Sequence, residues 1–271
     1  MEPQPETATV LVCGTAIPVT AEELELAGLQ VKGPEAFSAL SRLVNLRTIT
    51  LSKMTFSDAG WESLVAGIKG NPHLTHLNLT ACGLGPKHAA DLADAFSSGG
   101  CNITTLCLAK NGLTGATFYP SGKIRTGVDS NLDGITTLLT ALKTSQVICI
   151  DFSGCGLGPN SMGHLAQYLR DAIAAVAHIS ISGNMITGST NVGSRSAKYD
   201  LDLSGIIAFG KVAAVSKTLT SIDLSNCGIA AAGIAEVTKF ISADAASASL
   251  TAFANSAALA GPRWQSLKLI S

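Results

Sequence analysis

The chain has 271 residues, 46% of them hydrophobic and only 14% charged, with a net charge of −1. That composition supports a sizeable core and excludes the strong single-sign field of a dedicated nucleic-acid binder. It implies a surface of Ser, Thr, Gly and Ala, which suits a chain held inside an assembly. The first ten residues, with Glu2, Pro3 and Glu6, show neither a basic segment nor an apolar one of the secretory kind. Two stretches lack Asp, Glu, Lys and Arg. Ala172–Ser194 is broken by Gly183, Asn184 and Gly188, and Ala245–Pro262 is mostly Ala and Ser. Neither suits a membrane span, so no membrane insertion is expected. Seven unclustered cysteines point to reduced thiols rather than a disulfide framework.

In chain order, Thr9–Val19 is expected to form an N-terminal cap within residues 1–20, with Val10, Val12 or Leu11 directed inward. A repeat follows. In the units beginning at Leu74, Ile103 and Leu219, apolar residues fall at offsets 0, 3, 5 and 10, with Cys or Asn at offset 8. The same frame fits Leu46–Phe56, Val147–Leu157 and Val176–Ile186. It fits Trp264–Ile270 as far as the chain runs, and Ala21–Val31 more loosely. Offsets 3 and 5 alternate as a strand does and should face the core. A buried turn after the strand needs partners for its backbone, which an Asn amide supplies on both sides and a Cys thiol supplies weakly. The pairs Leu64/Ile68, Leu92/Phe96, Leu165/Leu169 and Val237/Ile241 are spaced i, i+4, each pair 18 residues after its unit start, and predict a helix facing the sheet.

These residues resemble the ribonuclease-inhibitor type of leucine-rich repeat. Unit starts at 46, 74 and 103 are 28 and 29 residues apart, and the ladder position reads Cys82, Asn111, Cys155, Asn184, Cys227. The resemblance implies an α/β leucine-rich-repeat solenoid over residues 21–271, of about 7–8 repeats, with a parallel sheet on the concave side and helices on the convex side. It says little of function, because inhibitors, GTPase activators, immune receptors and cytoskeletal and ciliary proteins share the scaffold.

Two insertions, near 114–131 and 187–202, fall after the Asn turns. Thr114-Gly115 leads to Leu132-Asp133-Gly134-Ile135, and Thr187-Gly188 leads to Leu203-Ser204-Gly205-Ile206. They read as matched loops on one rim. A third insertion, near 243–262, is Ala/Ser-rich and predicts a longer or second helix. The chain stops at Ile270-Ser271 in a strand frame, so that end should be covered by the Ala/Ser segment or by a partner.

The concave face takes offsets 2, 4 and 6, among them His76, Asn78, Asp151, His178 and Asp223. It offers no aromatic residue and no Arg from Thr48 onward, so it is either a surface for a closely packed partner or plain scaffold. Cys149, His178 and Asp151 on neighbouring strands would suit an activated thiol, or a metal site if Cys107 joined. An open sheet, however, provides no pocket and no exclusion of water. The glycines of Gly154–Pro159 recur at Cys82–Pro86 and read as the repeat's own turn, not as a phosphate loop. No catalytic residue, metal or cofactor is expected.

The loops are the better recognition candidates. Phe118, Tyr119, Lys123 and Arg125 lie in the first, Arg195, Lys198 and Tyr199 in the second, and Trp264, Lys268 and Ile270 at the C-terminal edge. Phe118 and Tyr199 either meet a partner or cover the bases of their own loops. The expected function is a non-enzymatic scaffold for other proteins in a stable cytoplasmic complex, with cytoskeletal or ciliary assemblies as homes suggested by the resemblance. The alternative is a regulator that activates a small GTPase through Arg125 or Arg195.

Overall fold

The computed structural model describes residues 8–97, 99–172, 176–242, 251–254 and 267–268, the backbone alone for 240–242, 251–254 and 267–268. A hairpin, β1 (Thr9–Val12) and β2 (Thr15–Pro18), opens the chain. It buries Val10 and Val12 and leaves Leu11 64% exposed. Strands β3 (Glu23–Ala27), β5 (Thr48–Ser52), β7 (His76–Asn78), β8 (Thr105–Cys107), β11 (Cys149–Asp151), β12 (His178–Ser180) and β13 (Ser221–Asp223) then lie side by side in that order, every pair parallel. Between β3 and β5, β4 (Gln30–Val31) forms a separate short pair with β6 (Thr55–Phe56). Helices α1 (Asp58–Lys69), α2 (Pro86–Ser97), α3 (Asp133–Leu142), α4 (Pro159–Asp171), α5 (Ser204–Ala213) and α6 (Ala231–Ser242) follow the strands.

The core lies between sheet and helices. Residues at offsets 3 and 5, such as Ile49 and Leu51 or Ile222 and Leu224, are buried. They meet Leu64, Ile68, Leu92, Phe96 and Leu165 from the helices, while Leu169 is only partly buried. This is the alternation that gives a strand one apolar face. The side chain of Ile241 lies outside the described residues.

Two corrections concern the C-terminal part. The Ala/Ser stretch holds a strand, β14 (Thr251–Ala254), where a further helix was expected. It pairs parallel with β13, Ala252 opposite Ile222, so the unit that starts at Leu219 spans 30 residues and needs no late insertion. The residues of that strand at offsets 3 and 5 are Ala252 and Ala254, which hid the frame. The last strand, β15 (Leu267–Lys268), runs antiparallel to β14. It is therefore not the start of another parallel unit, as the frame at Trp264–Ile270 had implied. Trp264 and Ile270 lie outside the described residues.

The turns explain the ladder. The residue before each ladder position is left-handed: Lys53, Ala81, Lys110, Gly154, Gly183 and Asn226 have φ between 51° and 67°. At the Asn ladder positions the side chain satisfies backbone groups of its own repeat and of the turn before it. Asn184 Oδ1 accepts from Cys155 N and Leu157 N, both at 2.9 Å, and its Nδ2 donates to the carbonyls of Phe152 and Ile181 at 2.9 and 2.8 Å. Asn111 repeats this set toward Cys82 N, Leu84 N, Leu79 O and Leu108 O. Cys155 Sγ and Cys227 Sγ donate one weaker bond each to the repeat before, to Leu108 O at 3.0 Å and Ile181 O at 3.2 Å. Burial raises the ladder thiols, Cys82 to about 11 and Cys227 to about 12, so they stay protonated donors.

Helices α2 and α3 pack closely, as do α4 and α5. A Cβ on Gly134 would strike the Pro86 carbonyl, and one on Gly205 the Pro159 carbonyl. Glycine at those positions is what lets each insertion-bearing repeat press against the Cys-type repeat before it.

Asn184→Ala strands the buried N–H groups of Cys155 and Leu157 and the carbonyls of Phe152 and Ile181, so it should cost about 3 kcal/mol in chemical denaturation. A cost below about 1 kcal/mol would show that the ladder amide is dispensable. A second expectation concerns His88, whose Nδ1 accepts from Gly85 N at 3.1 Å beneath the edge of the Trp61 ring. Burial holds its pKa below the ordinary 6.5. The unfolded chain therefore takes up the proton first. Stability is full above about pH 6.5 and falls as the pH drops through the folded value. Thermal melts between pH 7.5 and 5 should show this loss, and His88→Gln should flatten it.

Candidate functional site

The first insertion carries a hairpin, β9 (Thr117–Phe118) and β10 (Ile124–Thr126). Tyr119 N donates to Lys123 O at 2.9 Å and Gly122 N to Tyr119 O at 2.8 Å, which closes the tip. Tyr119 is 51% exposed. The Arg125 guanidinium carbon lies 5.8 Å from the centroid of its ring, a cation–π arrangement. Lys123 and Arg125 are exposed, whereas Phe118 is half-buried with its ring near Gly112. In the second insertion Thr190 and Lys198 bridge the loop. Arg195 and Lys198 are exposed and Tyr199 is half-buried.

Both insertions are anchored alike, through residues that the sequence reading passed over. Asp129 and Asp200 take left-handed φ values of 53° and 52°. Asp129 accepts from Gly158 N at 2.9 Å, Asn160 N at 2.8 Å, Ser161 N and the Ser161 hydroxyl, and so caps α4 of the next repeat. Asp200 accepts from Ala230 N at 3.0 Å and Gly233 N at 2.8 Å, the start of α6. A carboxylate at a helix N-terminus satisfies orphan amides and the positive end of the dipole together. Helix α4 opens with Pro159 and has no capping side chain of its own. The signal was present in the sequence as Asp-x-x-Leu-x-Gly-Ile, at Asp129–Ile135 and again at Asp200–Ile206. Base bonds match as well: Asn131 N to Thr114 O at 2.8 Å and Asp202 N to Thr187 O at 3.0 Å. The loops are thus rigid brackets between repeats, and their outward side chains project from fixed bases.

The strand face away from the helices holds the second group of residues. Asn78, Asp151 and Asp223 each accept a bond from the backbone two residues on, at Thr80, Ser153 and Ser225, at 2.8 to 3.0 Å. Asp151 also accepts from Cys107 Sγ at 3.4 Å, and Asp223 from Ser180 Oγ at 3.3 Å. Cys149 does lie opposite His178 in register. The Asp151 carboxylate, however, is engaged by Ser153 and Cys107, not by the imidazole. Burial raises the Cys107 thiol and keeps it protonated. Among the described residues no group of three His, Cys, Asp or Glu stands close enough to hold a metal ion. His76 Nδ1 shares a 2.8 Å bond with the Thr75 hydroxyl. The face is less neutral than the repeat from Thr48 onward suggests, because Glu23 and Glu25 project from β3 and are exposed. The loose fit of the first unit concealed them, although Glu23-Leu24-Glu25-Leu26 alternates. Among the described residues no helix is long and apolar enough to cross a membrane.

A repeated strand, ladder turn and helix, stacked into one parallel sheet over a common core, define the class, and comparison with known proteins agrees. The family model described as Leucine Rich repeat matches residues 70–92 and 215–237, each stretch holding a Cys-type ladder turn. The chain is a leucine-rich-repeat protein. It is similar to the Tonsoku-like protein of Danio rerio, 25% identical over 219 residues, and to that of Bos taurus, 24% identical over 220. Each match covers 76% of this chain and only 13% and 14% of the respective relative. A leucine-rich-repeat domain of this kind has a protein–protein interaction role.

Asp129→Ala should cost about 1–2 kcal/mol, as loss of an N-cap does. It should also speed hydrogen exchange in the first turn of α4 while leaving α2 unchanged. Equal exchange in both helices would separate the insertion from the cap.

Proposed function

We propose that the chain is a non-enzymatic scaffold that holds partner proteins in a stable cytoplasmic complex, with the hairpin at residues 117–126 as its main recognition surface. The observation that carries this is the half-exposed Tyr119 beneath Arg125, on a hairpin whose base is bonded to the neighbouring repeat. Aromatic and Arg side chains are the usual anchors of interfaces, and a rigid base lowers the entropy lost on binding. Lys123 on the same tip, and Arg195 and Lys198 on the second loop, extend the surface along one rim. A cytoskeletal or ciliary setting rests on the sequence resemblance alone, and the expectation of no nucleic-acid partner rests on the near-neutral charge. Activation of a GTPase is the weaker reading, because Arg125 is already seated on Tyr119.

The test places a photo-crosslinking residue at Lys123 in cells of the source organism. A discrete crosslinked complex is expected, reduced at least tenfold by Tyr119→Ala with Arg125→Ala. The melting temperature should shift by less than about 2 °C, since both are surface positions. A complex undiminished by the double variant would overturn the hairpin's role.

A further inference from the structure

We infer that the open edge of β3 is a docking strand for an extended, basic segment of another protein. The backbone carries the argument. Glu22 O accepts from Thr48 N at 3.1 Å, and Gly28 N donates to Ser52 O at 3.0 Å. Glu23 stands opposite Thr48, Glu25 opposite Thr50 and Ala27 opposite Ser52. In a parallel pair this register turns the N–H and C=O of Leu24 and Leu26 toward β5. It turns those of Glu23, Glu25 and Ala27 the other way. Strand β3 is, among the described residues, the last of its sheet on that side, and the β1–β2 hairpin forms a sheet of its own. Among the described residues nothing bonds those three outward pairs of groups.

An edge with three consecutive outward pairs is a template for strand addition. Its charge decides what can be added. The residues that offer the outward groups also place the exposed carboxylates of Glu23 and Glu25 on the outer face, and Glu22 precedes them. In an added strand the side chains opposite Glu23 and Glu25 share that face, about 5 Å away. Lysine or arginine at alternate positions forms cross-strand ion pairs there, whereas acidic residues repel. A second copy of this chain is disfavoured, since the same edge would set Glu against Glu. The preceding residues 1–7 carry Glu2 and Glu6 and no Lys or Arg, and are disfavoured on the same ground. The site is separate from the hairpin at 117–126 and does not depend on its role.

The test uses the full chain and three short synthetic peptides. One alternates lysine with valine, one alternates glutamate with valine, and one has the first peptide's composition with its lysines in a block. The alternating lysine peptide should bind at least tenfold more tightly than the block peptide. It should protect the Glu25 and Ala27 amides from hydrogen exchange. Glu23→Lys with Glu25→Lys should abolish that binding and confer binding of the glutamate peptide. Glu25→Pro, which deletes an outward N–H and no bond to β5, should weaken binding of the lysine peptide at least tenfold. Equal binding of alternating and block peptides would reduce the site to unspecific surface charge and overturn the proposal. Absence of binding by the alternating peptide, or protection confined to other strands, would do the same.

Discussion

A chain that turns sharply after every short strand must satisfy backbone amides and carbonyls that no longer pair within the sheet, and it must do so inside the core. Asn111 and Asn184 meet this requirement with four good bonds each, and the alternate positions leave it to a thiol that reaches the preceding repeat with one weak bond. The Asn oxygen reaches the preceding turn, so the amide fixes not only its own loop but the spacing of two repeats. Strand register, the inward direction of offsets 3 and 5, and the stacking of helices all follow from that spacing.

The insertions obey the same constraint one layer further out. Asp129 and Asp200 reach forward to the helix of the next repeat, while the Asn before them reaches back. A repeat with an insertion is therefore bonded on both sides, and the Cys155 repeat is clasped between two such neighbours. Gly134 and Gly205 complete the clasp by letting α3 and α5 lie close on α2 and α4. The hairpin residues Tyr119 and Arg125 gain fixed positions from this anchoring.

What could be read from the sequence was what repeats locally. The ladder, the buried alternation and the helix faces are set by residues within one unit, so their spacing announces them. The caps of Asp129 and Asp200 are tertiary. Their amide partners lie about 30 residues downstream, and only the doubled Asp-x-x-Leu-x-Gly-Ile pattern hinted at them. Strand β14 escaped notice because Ala252 and Ala254 occupy places where larger apolar residues mark the frame elsewhere. Glu23 and Glu25 were passed over because the first unit fits the repeat poorly beyond its strand. The Cys149–His178 juxtaposition was legible and real, but the hydrogen bonds that divert Asp151 from it involve Ser153 and Cys107, and no spacing rule encodes them.

The forward reach of the two aspartates bears on how such a chain can grow by gene duplication. Splicing in a single repeat would set two Asn turns, or two Cys turns, side by side. It would also leave one aspartate facing a helix start built to receive none. Splicing in two repeats keeps the alternation and gives every carboxylate its helix. The heritable module of this solenoid is thus the pair, and viable length variants of it should differ by even numbers of repeats.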